Sequence, residues 1–70
     1  MTPQEIAHVI QGMDEFKAQP KSSQSDIIAN KPAMIDFLRY RKDMLEKADP
    51  PQDGGPTQEL INFLLFPRKT

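Results

Sequence analysis

The chain has no cysteine, no tryptophan and a single histidine among its 70 residues. Without cysteine there is no disulfide framework, and one histidine without thiolates leaves a structural zinc site short of ligands. An excess of one charge is also missing: nine Lys and Arg stand against ten Asp and Glu, for a net charge of −1. Nucleic-acid-binding domains ordinarily carry a basic stripe that neutralises phosphates, so this balance argues against that class. No apolar run approaches the roughly 20 residues that cross a bilayer. The N-terminus is acidic and amphipathic, which fits neither a secretory signal nor a transit peptide. A cytoplasmic protein is therefore the expectation, with no membrane contact and no cofactor.

What the chain does have is helical periodicity punctuated by seven prolines. Thr2-Pro3-Gln4-Glu5 reads as a capping box with proline at the first helical position. Ile6, Val9, Ile10, Met13 and Phe16 follow at helical spacing, which predicts one long helix ending before Pro20. His8 falls on its polar side. Lys21 to Ser25 reads as a polar linker, and Ser23 to Asn30 as a short helix presenting Ile27 and Ile28. Pro32 suits the first turn of a second long helix, running from Pro32 to Lys47. Met34, Phe37, Leu38, Met44, Leu45 and Ala48 form its apolar face. Residues 49–56, with prolines at 50, 51 and 56 and glycines at 54 and 55, are a connector. Beyond it, helix formation is expected from Pro56 or Thr57. No useful length of chain alternates in the manner of a strand. The predicted fold class is all-α, a single small domain over residues 1–70. Two long helices, a short one between them and a compact apolar C-terminal helix make up the bundle.

Leu60-Ile61-Asn62-Phe63-Leu64-Leu65-Phe66 holds six large apolar residues in seven. Successive helical residues step round the axis by about 100°, so this block is apolar on nearly every side. It is either the central post of a small core or a surface that docks on something else. The expectation is that Leu60, Phe63 and Leu64 point inward, leaving Ile61, Leu65 and Phe66 as a partner-binding patch. Arg41 is the other candidate, because it projects from the middle of an apolar stripe between Phe37, Leu38, Met44 and Leu45. A charge there needs an internal acid, a route for its head to reach solvent, or a carboxylate on a partner.

Other combinations carry less. Arg39, Arg41 and Lys42 are interleaved with Asp36, Asp43 and Glu46, the pattern of a solvated, ion-paired face. Asp49 and Asp53 lack the ligand spacing and terminal glutamate of a calcium loop. Gly54-Gly55 is not followed by the Lys-Ser/Thr of a phosphate cradle. Met13, Met34 and Met44 read as core, with methionine's adaptability to a binding surface as the alternative. Phe16-Lys17, a polar gap, Lys31-Pro32 and Phe37-Leu38-Arg39-Tyr40-Arg41 together resemble the three-helix theta accessory subunit of bacterial replicative polymerases. That resemblance stops at the Pro/Gly connector and assigns no function or residue role.

The function expected from these features is a small non-catalytic interaction module binding a protein partner or a second copy of itself. An adaptor, an accessory subunit or an inhibitor such as a phage or other mobile element encodes would all fit. The alternative is a small dimeric helix-turn-helix-like DNA-binding regulator, although Lys31 to Asp36 offers few groups suited to base edges. Chelator treatment should leave both helicity and melting temperature unchanged, as circular dichroism will show. A loss of structure restored by one particular metal would contradict the ligand reading.

Overall fold

A computed structural model describes residues 2–66. Among the described residues there are five helices and no strand, so the chain is all-α as predicted. The helices are α1 (Pro3–Gln11), α2 (Asp14–Lys17), α3 (Lys21–Ile27), α4 (Lys31–Lys47) and α5 (Gly55–Leu65).

The capping box forms as the sequence indicates. The Glu5 N–H donates to Thr2 Oγ1 at 3.2 Å and the Thr2 N–H donates to Glu5 Oε1 at 3.3 Å. The first helix is not long, however. It stops at Gly12, whose flexible backbone disfavours a helix interior. The Gly12 and Met13 N–H groups tighten the last turn onto Val9 and Ile10 carbonyls at 3.1 and 3.0 Å. Met13 then turns extended, and a separate short helix, α2, follows. Phe16, carried by α2, meets Phe37 of α4 edge to face, with ring centroids 6.1 Å apart and planes at 88°. Of the predicted stripe, Ile6, Ile10, Met13 and Phe16 are buried and Val9 is exposed.

The predicted polar linker is also helical, since α3 begins at Lys21 directly after Pro20. One side chain accounts for much of the junction. The Gln24 amide donates to the carbonyls of Phe16, Lys17 and Gln19 at 3.2, 3.4 and 2.9 Å. It thereby satisfies acceptors that α2 leaves without intrahelical partners. Asn30 caps α4, its Oδ1 accepting from the Ala33 N–H at 2.9 Å.

At 17 residues, α4 is the one long helix. Met34, Phe37 and Leu38 face the core, while Met44, expected on the same face, is exposed. The helix outruns the bundle at that end, so its last turns meet the connector in place of α1. The connector is tied down: the Gln52 N–H donates to the Leu45 carbonyl at 2.8 Å and the Gly55 N–H to Asp53 Oδ1 at 2.8 Å. Gly54 is buried against α4, where a Cβ would lie 2.9 Å from Lys42 Cγ. That close approach is what requires glycine.

The core comprises Ile6, Ile10, Met13, Phe16, Met34, Phe37, Leu38, Ile61 and Leu64, with Ala7, Ile27, Ile28, Ile35 and Leu60 packed around it. Phe37→Ala should cost about 3–5 kcal/mol. Met44→Ala, at an exposed site, should change stability by less than about 0.5 kcal/mol. Urea unfolding followed by circular dichroism distinguishes these outcomes.

Candidate functional site

The helix α5 packs chiefly along α4, and its inward stripe is Thr57, Ile61 and Leu64, spaced as one face of a helix. The expected orientation is therefore corrected. Ile61, assigned to the partner-binding patch, is 2 % exposed and belongs to the core. Phe63, expected inward, is 36 % exposed. Leu60 is half-buried at the edge of the core. Leu65 and Phe66 are exposed, Phe66 at 71 %. The physical reason is the polar Thr57: its hydroxyl faces Arg41 on α4, which sets the rotation of the helix and with it every residue downstream.

These exposed side chains do not make the patch that was expected. At about 100° per residue, Leu65 and Phe63 lie on opposite flanks of α5. Phe63 and Phe66, one turn apart, stand together on the outer face, where they line an open concavity with Glu59 and Asn62. The Gln58 amide donates to Asn62 Oδ1 at 3.0 Å along the same helix. Glu59 is the one charged residue between Gly55 and Phe66. Among the described residues, the outer face is thus an aromatic pair beside Asn62 and the single charge of Glu59.

Arg41 is engaged within the chain. Its Nε–H donates to Glu15 Oε1 at 2.8 Å and an Nη1–H donates to Thr57 Oγ1 at 2.6 Å. One guanidinium therefore joins α2, α4 and α5. The pair is partly exposed, with about a quarter of each side chain accessible (23 % for Arg41 and 24 % for Glu15). The Glu15 carboxyl is held below the ordinary glutamate value. Its own backbone hydrogen bond at the start of α2 is the main cause; partial burial opposes, and the hydrogen bond and charge of Arg41 add to the lowering. Around this clamp lies a concavity of about 600 Å³, whose apolar walls include Val9, Leu45 and Leu60.

Nothing local in the sequence ties Glu15 or Thr57 to Arg41, because the pairings span 26 and 16 residues and leave no spacing signal. The Phe63–Phe66 pair has an i, i+3 signal, but choosing its orientation requires knowing which side α4 covers. His8 is exposed. Among the described residues, no group of three His, Cys, Asp or Glu side chains is placed to hold a metal ion, and no helix is long and apolar enough to cross a membrane. Comparison with family models, curated proteins and solved structures gives no match.

Arg41→Ala should destabilise the fold by about 1.5–3 kcal/mol, the range for hydrogen bonds to a charged group. Arg39→Ala, at an exposed position, should cost less than about 0.5 kcal/mol. The acid dependence follows from the lowered Glu15 value. Its stabilisation is fully present above the unfolded glutamate pKa of about 4.3 and is lost as pH falls through the lower folded value. Glu15→Gln should accordingly flatten the acid limb of a stability-against-pH curve. Identical limbs for the parent and the variant would remove Glu15 from that account.

Proposed function

We propose that this chain is a small non-catalytic interaction protein that binds a protein partner through the outer face of α5. One observation carries this reading: Phe63 stands exposed on α5 and Phe66 exposed at its C-cap, while the opposite side of the helix is committed to the core. Exposed aromatics placed together are costly to leave in water, and aromatic residues are enriched among those that dominate binding energy. The helix beneath them is a rigid platform, because Ile61 and Leu64 anchor it and Arg41 fixes its rotation through Thr57. Preorganisation of this kind lowers the entropy lost on association. Adaptor, accessory-subunit and inhibitor roles in the cytoplasm all use such a surface. Of the residues first singled out, Phe66 carries the proposal, Leu65 flanks it, and Arg41 and Ile61 support it from within.

A photoreactive phenylalanine analogue at position 66 should give a discrete adduct with another protein chain in native lysate. The same analogue at Arg39 on α4 serves as the control for chance encounters. Phe66→Asp should abolish the association that the adduct reports and retain the helical circular dichroism spectrum, whereas Ile61→Asp should unfold the chain. No adduct at position 66, or equal yields at both positions, would defeat the reading.

A further inference from the structure

We propose that Asp53 is a site of spontaneous covalent modification, where its side chain closes on the Gly54 backbone nitrogen and the chain reopens as an isoaspartyl linkage. The fold itself imposes the two residues that this reaction needs. Gly54 is buried against α4, where a Cβ would lie 2.9 Å from Lys42 Cγ and 3.4 Å from Glu46 Oε2. Position 54 therefore has no room for a side chain. Asp53 is exposed, and its Oδ1 accepts from the Gly55 N–H at 2.8 Å, the bond that an aspartate makes to backbone two residues on. Packing thus selects glycine and capping selects aspartate. Together they give the least hindered setting for a backbone nitrogen to attack the preceding carboxyl. The Gly54 N–H makes no hydrogen bond among the described residues, so that nitrogen is not held by another acceptor.

The sequence isolates the site. Asp53 is the one Asp or Asn followed by glycine. Asp49 precedes Pro50, which has no N–H to give up. Every other Asp or Asn precedes a residue whose side chain crowds its nitrogen.

In the first step the Gly54 nitrogen loses its proton and bonds to Asp53 Cγ, and a carboxyl oxygen leaves as water. The product is a five-membered succinimide. Water then adds to the Asp53 main-chain carbonyl, and the bond from that carbon to the Gly54 nitrogen breaks. The former main-chain carbonyl becomes a free carboxylate, and the chain now runs through Cβ and Cγ. One water leaves and one returns, so the mass is unchanged and no oxidant or reductant takes part.

The product no longer fits the connector. Its main chain is longer by one carbon, about 1.5 Å of path, directly before the seat of Gly54. Its carboxylate stands on Cα, so the side-chain cap on the Gly55 N–H is gone. The start of α5 is thereby released, and with it the placement of Thr57 against Arg41. The same ties guard the unmodified site. Ring closure needs Asp53 freed from Gly55 and Gly54 lifted from Lys42, so it proceeds through local opening of the connector.

The full chain, aged for days at neutral pH in buffer and in urea, tests this. An isoaspartyl-specific carboxyl methyltransferase counts the product, and peptide mapping locates it. Label should accumulate at Asp53 well above the other aspartates, and several-fold faster in urea. Asp53→Glu, whose ring would have six members, should suppress the label in both conditions; the urea arm keeps that comparison independent of folding. The isomer, separated from the parent by chromatography, should melt at a lower temperature. Absence of label at Asp53, or label spread evenly over the aspartates, would overturn the assignment. Equal rates in buffer and urea would overturn control by the connector, and an isomer that melts with the parent would overturn the release of α5.

Discussion

Arg41 occupies the place on α4 where the apolar stripe calls for hydrocarbon, and the bundle is arranged around what that charge requires. Taking a guanidinium out of water costs several kcal/mol unless its donors are met. Here Glu15 from α2 and Thr57 from α5 each accept from the guanidinium, and about a quarter of the side chain (23 %) stays accessible to water. The consequence reaches past one ion pair. Holding Glu15 in place fixes the short helix that delivers Phe16 to Phe37, and holding Thr57 fixes the rotation of α5. A polar contact with directional demands thus selects among orientations that apolar packing alone would leave close in energy.

That selection produces the exposed aromatic face. A seven-residue block with six apolar members can bury one side against α4 in several rotations. The hydroxyl of Thr57 admits the rotation that turns it toward Arg41, and Ile61 and Leu64 then follow into the core at their helical spacings. Phe63 and Phe66 are left outside as the remainder of that choice. The clamp that stabilises the bundle and the surface proposed for association are therefore two ends of one constraint.

Short polar interactions do comparable work where hydrophobic burial is scarce. In a chain this small the core is limited by surface-to-volume scaling, and the connections must hold their own geometry. Gln24 closes the end of α2, Asn30 caps α4, and Asp53 holds the start of α5 through the Gly55 N–H. Each satisfies backbone groups that a short helix leaves open at its ends. The connector before α5 is held by the Gln52 N–H on Leu45 and by the close seat of Gly54 on α4. With its start held in this way, α5 is laid along α4.

Local chemistry decided what the sequence alone determined: the all-α class, the capping box at Thr2 and Glu5, the start of α4 near Pro32, the Pro/Gly connector and the position of the apolar C-terminal helix. These depend on dihedral preferences, caps and a 3.6-residue period, all contained within a few neighbouring residues. The break at Gly12 was open to the same reasoning, since glycine weakens a helix interior, but the continuing apolar spacing through Met13 and Phe16 masked it. Tertiary structure decided which residues of the C-terminal block are core and which are surface, and it drew Glu15 and Thr57 to Arg41. Ile61 and Phe63 exchanged their expected places for that reason. Both are large and apolar and local propensity treats them alike; only the side of α5 that α4 covers, set by hydrogen bonds spanning 16 and 26 residues, tells them apart.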